Sequence, residues 1–187
     1  MKTALLLCAL SVCFAAVGQT TPLPTDSLTH KVSYQGVVLV PGASAAELFS
    51  RAKALALQSS VPAQMDEAGQ TVTGLWEKQL PAVNGPGRVL RYTLAVAVKE
   101  GRYRYALTNL ENKTLPVGFR NGPAGVLLTA PGGAAPIERV LANPDGYRRG
   151  QPTPALLAYE AAVAKAVAQA VADVRQGMKG SAGGGSW

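Results

Sequence analysis

Leu90-Arg91-Tyr92-Thr93-Leu94-Ala95-Val96-Ala97-Val98-Lys99, then Glu100-Gly101, then Arg102-Tyr103-Arg104-Tyr105-Ala106-Leu107-Thr108 is the stretch that decides the fold. Leu90, Tyr92, Leu94, Val96 and Val98 alternate with Arg91, Thr93, Ala95, Ala97 and Lys99. Strict alternation marks a strand with one buried face. A two-residue Glu100-Gly101 loop predicts the pairs Val98–Tyr103, Val96–Tyr105 and Leu94–Leu107 on one face. It also predicts Lys99–Arg102, Ala97–Arg104 and Thr93–Thr108 on the other. The apolar sets of both arms coincide, and so do the polar sets. A slip of one residue would turn a whole arm over, so the hairpin specifies its own register.

Upstream of the hairpin the signals weaken. Thr71–Leu80 reads as a strand with poor alternation, entered through a Glu67-Ala68-Gly69 turn, and Gly74 inside it marks a bulge or a close backbone approach. Ser44-Ala45-Ala46-Glu47 is a capping box, in which the Ser44 hydroxyl accepts from the Glu47 N–H and Glu47 reaches back. It predicts a helix to about Gln58. Leu48, Ala52, Leu55 and Ala56 form its buried stripe, flanked by Phe49, and Pro62 forbids its continuation. Val32–Val40 reads as a strand whose Val37-Val38-Leu39-Val40 run is buried on both faces, ended by Pro41-Gly42. Residues 19–31 are polar and proline-containing and read as a linker.

Downstream, Glu111–Gln151 is rich in proline and glycine and too long to be structureless in a compact domain. Gly125–Ala130 is a candidate short strand. Pro136–Ala142 is a candidate short helix with Ile137, Val140 and Leu141 as its contacts. Thr153 caps a final helix, Pro154 suits its first turn, and it runs to about Gln176. Leu156, Val163, Val167, Val171 and Val174 make its apolar stripe, opposite Glu160, Lys165, Gln169 and Asp173. The Gly/Ser-rich end, 178–187, reads as a disordered tail. The chain carries no internal repeat, and residues 32–177 read as one α+β domain.

The first eighteen residues read differently from the rest. Lys2 is their only charge, an apolar run extends from Ala4 to Val17, and small residues precede a polar stretch. A positive start, an apolar core of about 7–15 residues and a small-x-small exit make a cleavable signal peptide, cut after Gly18. The run is shorter than the roughly 20 apolar residues of a membrane span, and no later segment reads as one. Both cysteines, Cys8 and Cys13, lie inside it, preceded by Leu7 and Val12 where a lipoprotein cysteine needs a small residue. The processed chain is therefore expected to contain no cysteine, which excludes thiol catalysis and thiolate–metal sites. Its expected place is periplasmic or extracellular. Without Lys2, 17 basic residues face 11 acidic ones, a balance of +6. In that compartment the expected partner of a basic domain is an anionic envelope polymer or a protein, not nucleic acid.

The order of strand, capped helix, weak strand and strong hairpin resembles domain of unknown function 4468. That family consists of exported bacterial proteins assigned a TATA-box-binding-protein-like (TBP-like) fold. The resemblance rests on Ser33-Tyr34-Gln35-Gly36-Val37-Val38, Ala46-Glu47-Leu48-Phe49-Ser50-Arg51-Ala52-Lys53, Thr71-Val72-Thr73-Gly74 and Lys99-Glu100-Gly101-Arg102-Tyr103-Arg104-Tyr105. It covers roughly Val32 to Leu110. The chain departs from it in having Ala54-Leu55 where the first helix would hold a tryptophan. The resemblance implies a curved antiparallel sheet with helices packed on one face and a C-terminal helix. It implies no activity, and DNA binding is not inherited from the name of a fold.

The remaining chemistry is sparse. His30 is the single histidine and sits in the linker, which leaves no partner set for a Ser-His-Asp site or for zinc. Gly132-Gly133 lacks the Lys and Ser/Thr of a phosphate loop, and Asn112-Lys113-Thr114 fits the short glycosylation triplet. No cofactor is implied. The scattered acids leave one enzymatic alternative, a carboxylate-based hydrolase acting on an envelope polymer, which needs two acids brought together in a cleft. The favoured reading is a non-enzymatic binding or structural module. Its candidate binding residues are Arg91, Arg102, Arg104 and Lys99, which the hairpin register sets on one face above a floor of Thr93, Ala95, Ala97, Ala106 and Thr108. Guanidinium groups over small side chains suit forked hydrogen bonds to phosphate or carboxylate. The same pattern also reads as a solvated sheet face whose arginines add solubility and protect against edge pairing.

Overall fold

The computed structural model describes residues 23–57, 63–81, 87–115, 117–121, 126–130 and 132–179. The expected signal peptide with Cys8 and Cys13, the cut site and residues 180–187 of the expected tail lie outside them. Along the chain run β1 (Tyr34–Leu39), α1 (Ala45–Leu57), β2 (Ala63–Asp66), β3 (Thr71–Leu80), β4 (Arg88–Lys99), β5 (Arg102–Thr114), β6 (Val117–Asn121) and β7 (Val126–Ala130). β8 (Ala134–Pro136), α2 (Ile137–Leu141), β9 (Tyr147–Arg148), β10 (Gln151–Pro152) and α3 (Pro154–Lys179) follow.

The β4–β5 hairpin forms in the register read from its alternation, with Val98 opposite Tyr103, Val96 opposite Tyr105, Leu94 opposite Leu107 and Lys99 opposite Arg102. Gly101 supplies the positive φ, 65°, that closes the two-residue loop. The register then shifts between Arg91 and Thr93. Asn109, at φ 50°, is the extra residue of a bulge. An unbroken register would set Arg91 against Leu110, whereas the bulge sets it against Glu111 and turns Leu110 and Asn112 into the core.

Around the hairpin an antiparallel sheet is ordered β1-β5-β4-β3-β2, with β8 also paired to β5. Both long helices cover one face of it. α1 contributes Leu48, Phe49, Ala52 and Ala56, and α3 contributes Val163, Val167, Val174 and Met178, among others. Against them stand Leu90, Leu94, Val96, Tyr103 and Leu107. The alanines of α3 let it lie close to the sheet. They also give α3 the length and composition of a membrane-crossing helix, which corrects the reading that no later segment has them; its valine side is spent on this core. Lys78 Nζ meets Asp173 Oδ2 at 2.6 Å, and Arg51 donates to the Met178 carbonyl at 3.0 Å, pinning α3 to the sheet and to α1.

Local signals are met unevenly. Thr153 caps α3 through a 3.3 Å bond from the Leu156 N–H, and Ser44 accepts from Glu47 N at 3.2 Å. Glu47 does not complete the box, because Arg51 one turn later takes its carboxylate. Glu100 from the hairpin loop accepts from Ala45 N at 3.2 Å instead. Gly74 is a close approach and no bulge: a Cβ there would lie 2.5 Å from the Trp76 ring. The candidate strand near Gly125–Ala130 is β7, paired with β6, and the candidate short helix is α2.

Three further readings are corrected. The tail does not begin at residue 178, because α3 runs to Lys179 and Met178 is fully buried in the core. Residues 23–31 are not simple linker, since Asp26 Oδ1 accepts from Leu28 N, Thr29 N and Thr29 Oγ1 in a tight turn, and Thr25 bridges Val32. Val37-Val38-Leu39-Val40 is not buried on both faces. β1 is an edge strand whose Val37 and Leu39 are 61% and 71% exposed. An apolar run reads the same in a central strand and in an unprotected edge.

Candidate functional site

The face of the sheet away from the helices carries the candidate residues. Opposite positions across the ladders share a face, so Thr71, Ala97, Arg104 and Val37 form one row and Thr73, Ala95, Ala106 and Gln35 the next. Lys99, Arg102 and Leu39 form the row at the hairpin tip. The floor of threonine and alanine expected beneath the cations is present.

The structure brings three of the four cations together. Val37, Ala97, Lys99, Arg102, Tyr103 and Arg104 line a shallow hollow of about 290 Å³. Among the described residues no carboxylate lies within ion-pair distance of Lys99, Arg102 or Arg104. The hollow is held by the hairpin tip: Val40 N donates to the Gly101 carbonyl at 2.8 Å, and Gly101 N donates to the Ala43 carbonyl at 3.0 Å. These bonds tie the tip to the turn between β1 and α1.

Arg91 stands apart. Six residues along β4 separate it from Ala97, about 20 Å at the rise of an extended strand. Its guanidinium meets Glu77 Oε1 at 2.9 Å and Glu111 Oε2 at 3.9 Å, and Lys113 Nζ meets Glu77 Oε1 at 2.9 Å. It belongs to a balanced two-cation, two-carboxylate cluster, away from the other three candidate residues. Glu111 reaches that cluster only because of the bulge at Asn109, which a continuous two-residue period conceals.

Glu77 and Glu111 are the paired acids in this region, and their setting bears on the hydrolase alternative. The hydrogen bond from Lys113, helped by the Arg91 guanidinium, holds the Glu77 carboxyl below its ordinary range against the effect of burial. A general acid needs the opposite shift. A second hollow, of about 320 Å³, is lined by Asp26, Thr29, Lys31, Tyr34, Thr108 and Asn109 among others and contains a single carboxylate. His30 lies in the Asp26 turn, exposed. Asn112, the first residue of the glycosylation triplet, is buried in β5. Burial pushes the Tyr159 hydroxyl up to about 12, so it is neutral at ordinary pH.

No family model matches the chain, and no curated protein matches it. Solved structures do. A TBP-like protein from Parabacteroides distasonis aligns with a TM-score of 0.61 and 15% identity over 84% of this chain and 97% of its own. A DUF4468 family protein from Bacteroides ovatus aligns with a TM-score of 0.56 and 12% identity over 83% of this chain and 91% of its own. The chain has the TBP-like fold. The resemblance drawn from Ser33–Val38, Ala46–Lys53, Thr71–Gly74 and Lys99–Tyr105 is thus borne out at the level of architecture: α+β, antiparallel sheet, helices on one face, C-terminal helix. Neither neighbour carries a described activity in its name.

Proposed function

We propose that this chain is a non-enzymatic binding domain of the cell envelope whose partner presents anionic groups to Lys99, Arg102 and Arg104. One observation carries the reading. On a single sheet face, Arg91 and Lys113 are matched by two carboxylates, while the three cations at the hairpin tip surround a hollow and are matched by none among the described residues. Unmatched guanidinium groups set over alanine, beside exposed Val37, suit forked bonds to carboxylate or phosphate. The signal-peptide pattern supports the envelope as the compartment. Replacing Lys99, Arg102 and Arg104 together with Gln is expected to abolish salt-sensitive binding to isolated envelope material and to leave the melting temperature nearly unchanged. Undiminished binding by that triple variant would refute the reading.

A further inference from the structure

β1 is the first strand among the described residues and lies at the rim of the sheet, paired on one side with β5. Natural edges are blunted by charge, proline or bulges. Tyr34-Gln35-Gly36-Val37-Val38-Leu39 has none of these. Its backbone polarity follows from two bonds. Val40 N donates inward to Gly101 O, while Ser33 N donates outward to Pro24 O at 3.1 Å. Amide direction alternates along a strand, so the N–H and C=O groups of Gln35, Val37 and Leu39 point away from β5. Leu23–Thr25 covers the beginning of that outer edge, and no strand among the described residues pairs with the rest.

The side chains beside this edge are equally specific. Val37 and Leu39 project, exposed, from the outer face, and directly behind them in β5 stand Arg104 and Arg102. A strand added outside β1 would lie about 4.8 Å from it and roughly 10 Å from β5. At that spacing every second side chain of the newcomer sits over Val37 or Leu39, and an acidic one can meet an arginine reaching from behind. From this we infer that the outer edge of β1 receives an extended acidic peptide segment by strand addition. Its backbone is laddered to Gln35, Val37 and Leu39, and its alternate carboxylates are held by Arg102 and Arg104. Charge selects this occupant over a second copy, because the chain carries a formal net charge of +7 and such a dimer would bring two cationic faces together. The inference rests on the proposed anion-binding face and adds the partner's backbone to it.

The test separates the two layers. One probe is a labelled peptide alternating Val and Glu, with a Val–Lys counterpart as control. The other is inorganic polyphosphate, which carries charge and no amide. The wild-type protein is expected to bind the Val–Glu peptide and polyphosphate but not the Val–Lys peptide. Val37→Pro removes an outward N–H that no described residue uses, a change edge strands tolerate. It is expected to weaken the Val–Glu peptide about tenfold or more, the scale of one lost bond to a charged or laddered partner, and to leave polyphosphate binding intact. Arg102→Gln with Arg104→Gln weakens both probes. Should Val37→Pro lower the melting temperature, the wild-type protein is titrated with two Val–Glu peptides, N-methylated on the odd or on the even amides. One must lose binding and the other keep it. Equal binding of the two methylated peptides, or peptide binding by a folded Val37→Pro variant at wild-type strength, overturns strand addition while the anionic face survives. Unchanged binding of both probes by the arginine double variant overturns the face as well. A wild-type dimer in sedimentation that Val37→Pro dissolves would assign the edge to a second copy and overturn the peptide.

Discussion

The two ends of the outer sheet face share β4 and β5 and differ in whether their cations are balanced. At the far end, Arg91 and Lys113 share Glu77 and Glu111. At the hairpin tip, Lys99, Arg102 and Arg104 surround a hollow with no carboxylate at ion-pair distance among the described residues, next to exposed Val37 and Leu39. Exposed ion pairs contribute little, about 0–1 kcal/mol each, so stability does not explain the difference. A balanced cluster leaves no field for a partner, and an unbalanced one does. Counting arginines therefore misleads unless the acids across the ladder are counted too.

Removing the platform that both ends share should have the largest effect. Leu107 is fully buried, opposite Leu94 and Tyr34, and Leu107→Ala is expected to cost about 2–5 kcal/mol in denaturant melts. A loss under about 1 kcal/mol would mean that the helix-covered face is misassigned. Next comes a change confined to the open end. A Cβ at Gly36 would lie 2.6 Å from the Tyr105 hydroxyl oxygen. Gly36→Ala is expected to cost about 1–3 kcal/mol and to weaken binding by shifting β1 beside Arg104. Gly36→Ala with wild-type stability and wild-type affinity would show that the two strands part freely there.

Acid should act on the closed end and on the helix clamp. Glu77 is held low by Lys113 and Arg91. Burial pushes the Asp173 carboxyl up, but the hydrogen bonds from Lys78 and Gln169 bring it below its usual range. A carboxylate whose folded pKa is depressed contributes stability above its ordinary value and loses it as pH falls through the folded one. The melting temperature is therefore expected to fall as pH drops below the ordinary values of 4.5 for Glu77 and 3.8 for Asp173. Lys113→Gln should flatten the Glu77 part of that fall, and an identical acid profile in that variant would show the cluster to be inert. The smallest stability effect belongs to Arg91→Gln, expected within about 0.5 kcal/mol of wild type and without effect on polyphosphate binding. Glu77→Gln, by contrast, should raise polyphosphate binding, because it uncovers Arg91 and Lys113. No gain there would break the comparison between the two ends.

How far the sequence could be read follows from how local each signal is. The hairpin was legible because period two, turn length and both faces agree over neighbouring residues, Leu94 with Leu107 and Ala97 with Arg104. The caps at Ser44 and Thr153 and the stripes of α1 and α3 were legible for the same reason. The sequence places β1 but not its surroundings, since Val37-Val38-Leu39-Val40 carries no mark that one side faces solvent. The site was half legible. Lys99, Arg102 and Arg104 sit around one turn, whereas the neutralisation of Arg91 depends on Glu77 in another strand and on Glu111 beyond a bulge. An asparagine is the side chain that most readily tolerates the positive φ found at Asn109. That residue was the available clue. The pairings of β2, β8, β9 and β10 involve strands of two to four residues, too short to show a period.

The seating of β1 against β5 also sets a timetable. β1 is made first, but its hydrogen-bonding partner is made only after α1 and three further strands, so Tyr34 must wait for Leu107. At about 5–20 residues per second, a growing chain carries this uncharged, proline-free strand unpaired for several seconds. Closing β1 onto the hairpin is a non-local step, and loop-closure entropy weighs against it. Until Leu107 follows, both rims of β1 are open, so the seat of this strand depends on a contact far along the chain.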